Sequence, residues 1–161
     1  MQLNRYSIPV ILMLVGGGFI AGRLASSAPE PAQTDPAEQV TGIGGIFFKA
    51  RDPALLRAWY HDNLGIRAGK YGYDFAWREK DKPEVIGKTV WTLFPTNTTY
   101  LGSTSTQFMI NYRVANMDRL LAQLRQCGTT VEKAKGEDYG RFAWVTDPEG
   151  NRIELWEPKG K

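Results

Sequence analysis

Two stretches of the chain, residues 46–56 (IFFKARDPALL) and residues 110–121 (INYRVANMDRLL), share one plan, and this plan decides the fold. Each reads as an apolar strand, an Asp or Asn that can cap a helix, and a helix with a double leucine. One such unit has too little apolar surface to be stable alone, whereas two can pair their sheets around a shared cleft. The sequence therefore predicts an α+β fold of two βαβββ modules, at about residues 40–100 and 107–158.

Capping and turn residues give the expected boundaries of the elements. Asp52 and Pro53 are predicted to open the first helix, which Gly65 ends. Asn116 is predicted to cap the second helix, which ends at Gly128. Between and after the helices, strands are expected at about 66–71, 73–79, 89–94, 129–134, 140–146 and 152–157.

The composition is that of a globular protein and excludes several classes of site. The 161 residues are 42% hydrophobic and 23% charged, and 20 Lys and Arg residues against 17 Asp and Glu residues give a net charge of only +3. Charges of both signs are interspersed, so no nucleic-acid-binding surface is expected. His61 and Cys127 are the single residues of their kinds, which excludes an intramolecular disulfide, a thiolate cluster and a site with two imidazoles from one chain.

Residues 1–39 differ in composition from the rest. Residues 6–22 form an apolar stretch after Arg5, and small residues follow it. This pattern is typical of a secretory signal, while its length is at the lower limit for a membrane span. We therefore expect residues 1–27 to be a signal peptide or a single membrane anchor, and residues 28–39 to be a Pro- and Ala-rich linker. The domain at 40–161 is then exported, to the periplasm or the extracellular space, or tethered to the membrane.

Three segments resemble the glyoxalase / bleomycin-resistance / extradiol-dioxygenase superfamily, also called vicinal oxygen chelate (VOC). They are FFKARDPALLRAWYHDNLGI (47–66), FMINYRV (108–114) and YGRFAWVTDPEGNRIELWEP (139–158). The resemblance implies two βαβββ modules whose curved sheets form an open, partial barrel around a ligand cleft. It also implies that the protein is a homodimer.

The metalloenzymes of that superfamily carry metal ligands on the first and last strands of each module. The matching positions here are Gly45, Trp91, Met109 and Glu154, and only Glu154 offers a ligand for a hard cation. One carboxylate falls short of the three protein ligands of a typical catalytic zinc or iron site. The resemblance therefore implies no cofactor, with Glu154 as the metal ligand should a divalent metal bind.

Strand alternation predicts which side chains face the cleft. Glu154 is the candidate base or hydrogen-bond acceptor, and Arg113 or Lys49 is the candidate clamp for an anionic ligand. In the alternative interpretation, Arg113 and Glu154 form a structural ion pair. The expected cleft residues are Phe47, Lys49, Trp91, Leu93, Met109, Asn111, Arg113, Glu154 and Trp156.

Other chemistry-bearing residues have simpler interpretations. Trp59 is expected in the core, His61 on an exposed helix surface and Cys127 in a small buried site. The polar loop at 95–105 resembles the crossover between modules in the superfamily. Because such loops often border the ligand cleft, Tyr100 is a further, weaker site candidate.

Function is predicted at the level of a ligand class. The aromatic lining favours a VOC-type domain that binds a small molecule, like the bleomycin-resistance branch, with no reaction assigned. One alternative is a metal-dependent enzyme, either a glyoxalase I-like lyase or dioxygenase-like, with Glu154 as metal ligand. The other is a membrane-tethered interaction domain in which the cleft no longer has a function.

Overall fold

The computed structural model of the protein describes residues 37–159. Among these residues no helix is both long and apolar enough to cross a membrane. The predicted signal or anchor and nearly all of the predicted linker lie outside the described residues. The elements are β1 (Val40–Ala50), α1 (Pro53–Leu64), β2 (Tyr73–Arg78), β3 (Ile86–Pro95), β4 (Phe108–Val114), α2 (Met117–Gln126), β5 (Val131–Glu137), β6 (Gly140–Thr146) and β7 (Arg152–Pro158).

Both helices begin at the predicted capping residues. The Asp52 carboxylate accepts hydrogen bonds from the backbone N–H groups of Ala54 and Leu55, each at 2.9 Å, and so satisfies donors that the first turn leaves free. The Asn116 side chain accepts from the Arg119 N–H at 3.0 Å at the start of α2. Gly65 ends α1 in the left-handed conformation, with φ of 69°.

The strands form one seven-stranded sheet in the order β2-β3-β1-β4-β7-β6-β5. The first strands of the two modules, β1 and β4, pair antiparallel at its centre. Within each module the first and last strands pair parallel, β1 with β3 and β4 with β7. The α+β fold with two paired modules is therefore confirmed.

The first module has one strand fewer than predicted. The strand expected at 66–71 is absent from the described sheet, where only an isolated bridge joins Gly69 and Gly72. Gly72 has φ of 105°, and a Cβ there would lie 2.3 Å from the carbonyl oxygen of Trp91. The backbones of Gly69 and Gly72 bond each other in both directions, so the segment ends in a tight turn beside β3 instead of pairing along it.

The sheet has two differently covered faces, which we call the helix face and the cleft face. On the helix face, Met117, Leu120 and Leu121 of α2 pack on the second module, and α1 packs on the first through Leu56 and Tyr60. The cleft face carries a separate cluster that neither α1 nor α2 covers. Its buried members are Phe47, Leu101, Met109, Phe142 and Trp144.

Strand alternation misplaces part of the predicted cleft set. Trp91 and Leu93 lie on the helix face, where the Trp91 ring meets Tyr60 with centroids 4.6 Å apart. Their expected position in the cleft is wrong. The run TVWTLF (89–94) is apolar on both faces, so its pattern does not distinguish one face from the other.

Two of the remaining expectations are also wrong. Trp59 is 50% exposed on α1, because Tyr60 rather than Trp59 turns toward the sheet. Cys127 is exposed, since it follows the last turn of α2 at the surface. His61 is exposed as predicted, with its Nδ1 atom 2.8 Å from the carboxylate of Asp62.

Candidate functional site

A cleft of about 760 Å³ opens on the cleft face, across the junction of the two modules. Most of its wall is aromatic or aliphatic, and Glu154 lies at its floor. This composition is typical of a site for a small organic molecule. The lining residues are Gly44, Phe47, Tyr71, Asp74, Ile86, Gly87, Lys88, Val90, Tyr100, Asn111, Arg113, Tyr139, Phe142, Glu154, Trp156, Pro158 and Lys159.

Glu154 is held at the centre of the sheet and is only 1% exposed. Its neighbour across the β4–β7 pairing is Asn111, whose side-chain N–H donates to one carboxylate oxygen at 3.1 Å. The Tyr100 hydroxyl donates to the other oxygen in a short hydrogen bond. Both oxygens of the buried carboxyl group therefore have a neutral donor, and neither accepts a hydrogen bond from a cationic side chain at residues 37–159.

Burial dominates the titration of this pair. Loss of hydration raises the pKa of Glu154 above its ordinary value, while the hydrogen bonds from Tyr100 and Asn111 and the charge of Arg152 act in the opposite direction. The pKa of Tyr100 is raised well above its ordinary value, first by burial and then by the nearby Glu154 carboxylate. Tyr100 therefore keeps its proton and remains the donor to Glu154.

The crossover loop carries Tyr100 and is fixed at three further points. Leu101 is completely buried in the cluster of the cleft face. The Lys49 ammonium group donates to the carbonyl oxygens of Ser103 and Thr104, at 2.9 and 3.2 Å. Arg152 donates to the carbonyl oxygen of Tyr100. The hydroxyl over Glu154 is thus a constrained part of the site.

Aromatic rings form the walls on both sides of the carboxyl group. Phe94 stacks on Tyr100 with ring centroids 5.3 Å apart, and Phe47 meets Tyr100 edge-on at 6.4 Å. On the second module Phe142 stacks on Trp156 at 6.3 Å. Such walls can hold a planar apolar group by stacking and by edge-to-face contacts.

The charged residues nearer the rim have partners of their own. Lys88 pairs with Asp74 at 2.8 Å, and Arg113 pairs with Glu79 at 2.8 Å. The Arg113 guanidinium also lies over the Trp77 ring, 5.6 Å from its centroid. The alternative of an Arg113–Glu154 ion pair is therefore wrong, because Arg113 extends toward β2 rather than into the floor.

The structure brings together five of the nine predicted cleft residues and places the other four elsewhere. Trp91 and Leu93 lie on the helix face, Met109 is fully buried within the cluster of the cleft face, and Lys49 is bound to the crossover loop. The sequence interpretation missed Phe142, although it lies on β6 within the stretch that carries the family resemblance. The five predicted residues that line the cleft are Phe47, Asn111, Arg113, Glu154 and Trp156.

Gly44 lets the backbone of β1 approach the floor. The β1–β4 pairing has a register shift between Ile43 and Gly45, which brings Gly44 to the cleft. A Cβ at Gly44 would lie 2.2 Å from the Asn111 side-chain oxygen and 2.9 Å from the Trp156 ring. That amide oxygen is buried and accepts no hydrogen bond from any described residue. Glycine at this position therefore keeps Asn111 in place beside Glu154.

The residues around Glu154 do not fit a tightly held divalent metal. The described residues contain no cluster of three His, Cys, Asp or Glu side chains that could hold one. Of the four positions that match metal ligands in the superfamily, Gly45 has no side-chain donor and Trp91 lies on the opposite face. Both Glu154 oxygens already accept hydrogen bonds.

A family model with the description "Glyoxalase-like domain" matches residues 45–156, which is more than half of the chain. The chain belongs to the glyoxalase-like domain family. The resemblance read from the sequence is thereby confirmed. Among curated proteins, no relative of this glyoxalase-like domain is found.

Solved structures with the same fold include two acyl-CoA epimerases. Mycobacterium tuberculosis methylmalonyl-CoA epimerase has a TM-score of 0.50 at 19% identity, covering 80% of this chain and 95% of its own. A variant of Streptomyces coelicolor methylmalonyl-CoA epimerase in complex with 2-nitronate-propionyl-CoA has a TM-score of 0.56 at 15% identity, covering 76% and 97%. At these identities the likeness of this glyoxalase-like domain to the epimerases concerns the fold alone.

A third structure is a glyoxalase/bleomycin resistance protein/dioxygenase superfamily member from Vibrio splendidus. It has a TM-score of 0.45 at 10% identity and covers 74% of this chain and 98% of its own.

Proposed function

We propose that this glyoxalase-like domain binds a small organic molecule in its aromatic-lined cleft, with the Glu154–Tyr100 pair as the polar contact at the floor. The observation that carries the proposal is the carboxyl group of Glu154, buried at the base of an open cleft without a hydrogen bond from any cationic side chain of the described residues.

A buried carboxyl group lowers the stability of the folded state, and a fold in which it has no function gains nothing in return. Removing a carboxylate from water destabilises the folded state unless a partner compensates for the lost hydration. Here the partners are a phenol and an amide, and the carboxyl pKa stays raised. Titratable groups perturbed in this way and located in clefts are characteristic of functional sites. Arg113 and Lys88, by contrast, have compensating carboxylates at the rim.

The proposal is tested with a neutral aromatic probe and a matched pair of exposed aromatic residues. Tyr139 lines the cleft and is 66% exposed, whereas Trp59 is 50% exposed on α1, outside the cleft. We expect benzyl alcohol to bind the full chain saturably, as measured by calorimetry. Tyr139→Ala should weaken this binding about three- to tenfold through the loss of an aromatic contact, and Trp59→Ala should leave it unchanged. Absence of saturable binding, or equal effects of the two substitutions, would contradict the proposal.

We also propose that the domain acts outside the cytoplasm as a homodimer. Support for export or tethering comes from the sequence: Arg5, the apolar stretch at 6–22 and the small residues after it. A reporter active only outside the cytoplasm, fused after residue 40, should be active, and activity of a cytoplasm-only reporter there would sink the export proposal. Light scattering of the purified chain measures the oligomeric state, and a monomeric mass would rule out the dimer.

A further inference from the structure

We infer that the floor of the cleft selects ligands that donate hydrogen bonds, and that the site prefers a small aromatic molecule carrying an ammonium group. This inference rests on the proposed function and names the ligand class for the same site. It follows from the direction of the hydrogen bonds at the floor, from the aromatic walls and from the pairing of the rim charges.

The hydrogen bonds at the floor leave an acceptor for a ligand. A tyrosine hydroxyl has one proton, and Tyr100 donates it to Glu154. The Tyr100 oxygen therefore offers only lone pairs to the cleft. Asn111 likewise directs an N–H to Glu154, whereas its side-chain oxygen is buried against Gly44 and is not open to the cleft, so the Tyr100 oxygen is the acceptor that a ligand can reach. A ligand that brings an acceptor or an anion to this point would meet oxygen lone pairs, whereas a donor would complete the network.

The electrostatic setting of the floor favours a donor that is also a cation. Glu154 is 1% exposed and accepts the hydrogen bond of the Tyr100 hydroxyl, so a ligand that binds the Tyr100 oxygen is separated from the carboxylate by this one group. In a site partly screened from water, the attraction between a cationic ligand and this carboxylate is stronger than in bulk solvent. A cation at the floor also compensates for the burial that raises the pKa of Glu154, and thereby favours the ionised carboxylate.

The walls provide the rest of the recognition. Cations are attracted to the faces of aromatic rings within about 6 Å. Phe47, Phe142 and Trp156 line the cleft around the floor, and an aryl group of the ligand can stack against the same rings. The indole N–H of Trp156 is a buried donor, but it faces Gly140 in the β6–β7 hairpin: a Cβ at Gly140 would lie 2.5 Å from this nitrogen.

The cations at the rim of the cleft do not reverse the preference for an ammonium group. Lys88 and Arg113 are each paired with a carboxylate, Asp74 and Glu79, at 2.8 Å. Lys159 is exposed at the edge of the cleft, where solvent screens its charge. Arg152, whose charge acts on Glu154, is likewise paired with a carboxylate, that of Glu132 at 2.9 Å.

Three probes of nearly the same shape test the inference on the full chain: benzylammonium, benzyl alcohol and benzoate. We expect benzylammonium to bind at least tenfold more tightly than benzyl alcohol, and benzoate to bind most weakly, by calorimetry at neutral pH. Glu154→Gln preserves the shape and the acceptor for Tyr100 while removing the charge, so it should reduce the preference for the ammonium to less than about threefold. Binding of benzyl alcohol by the same variant shows that its cleft is intact.

Asp118→Asn is the matched control, because it also removes one carboxylate from the chain, but at an exposed position on α2 outside the cleft, where Asp118 pairs with Arg141. The ammonium preference should survive in this variant. Equal binding of the three probes, tighter binding of benzoate, or an equal loss of preference in both variants would overturn the inference. If benzyl alcohol still binds in any of these three outcomes, the proposed function stands and only the preference for an ammonium group is overturned. Failure of all three probes to bind would overturn both.

Discussion

At the scale of single residues, the carboxyl group of Glu154 experiences two opposing influences. Burial disfavours its charge, and the hydrogen bonds from Tyr100 and Asn111 favour it. Burial is the larger influence, so the pKa is raised in the folded state. The folded protein therefore holds a proton on Glu154 at pH values where the unfolded chain has already released it.

This proton gives a pH-dependent contribution to stability. The free energy of unfolding should fall as pH rises from the ordinary glutamate pKa of 4.5 toward the raised folded value, because the native state then binds more protons than the unfolded state. The slope from one such group is at most about 1.4 kcal/mol per pH unit. Glu154→Gln should lack this contribution, which urea unfolding of both proteins between pH 4 and 8 measures. Parallel stability curves for the two proteins would contradict the assignment.

Gly44 contributes to the stability of the fold because a side chain at this position would collide with Asn111, and a second glycine, Gly136, provides the control. Gly44→Ala places a Cβ 2.2 Å from the Asn111 oxygen, and it should destabilise the fold by about 1–3 kcal/mol through overpacking. Gly136→Ala on β5 is the control, because a Cβ there meets nothing within 4 Å, and it should change stability by less than about 0.5 kcal/mol. Equal unfolding free energies for the two variants in denaturant would argue against a close approach at Gly44.

The family resemblance could predict that Glu154 lines the candidate site, since among the four positions that match the family's metal ligands it alone has a carboxylate. It could not predict the partners of that carboxyl group. Arg113 is on the expected face, yet it bonds Glu79, which follows β2 and lies 34 positions away in sequence. Pairings of this kind depend on how far each long side chain reaches, which strand alternation does not describe.

At the scale of elements, the sequence pattern predicts the position of the crossover loop correctly and the cleft-facing side of β3 wrongly. The loop was expected to border the cleft, and Tyr100 lines the cleft. The prediction chose the wrong face of β3 for the cleft, because both faces of an inner strand are apolar and the sequence pattern does not distinguish them. Its Trp91 packs on α1 through Tyr60, a contact that follows from the position of the helix over the sheet rather than from the strand itself.

Lys49 is predicted to restrain the crossover loop. Lys49→Met removes the hydrogen bonds to the carbonyl oxygens of Ser103 and Thr104 and should increase hydrogen exchange of the amides at 100–106 about tenfold, equivalent to about 1.4 kcal/mol. Lys135→Met removes a comparable ammonium group that pairs with Glu137 on β5 and should leave the loop unchanged. Unaltered exchange in the Lys49 variant would mean that Leu101 and Arg152 suffice to hold the loop.

At the scale of the whole molecule, the pairing of β1 with β4 creates the site. It joins the modules so that Phe47 from the first and Glu154 from the second line one cleft. The internal repeat predicted this architecture, because the matching strand–cap–helix units require paired sheets. The loss of the strand expected at 66–71 was not predictable, since it depends on the close approach of Gly72 to β3.

The donor set around the cleft also makes a prediction for metal content. Because the described residues contain no cluster of three His, Cys, Asp or Glu side chains, we expect the full chain to retain far less than one metal per chain after incubation with Zn, Ni, Fe(II), Mn or Mg and desalting. Elemental mass spectrometry measures this directly. Retention of about one metal per chain would contradict the account and favour a glyoxalase- or dioxygenase-type enzyme.

The most direct test of the central claim is a ¹H–¹⁵N NMR titration of the full chain with benzyl alcohol, read at the indole signals. The five tryptophans sample different environments: Trp156 lines the cleft, Trp91 packs under α1, and Trp59 is exposed on α1. If the cleft binds the ligand, the Trp156 signal should shift saturably, with little change at Trp59 and Trp91. A Trp156 signal that does not move, or that moves no more than the other two, would contradict ligand binding in the cleft above Glu154.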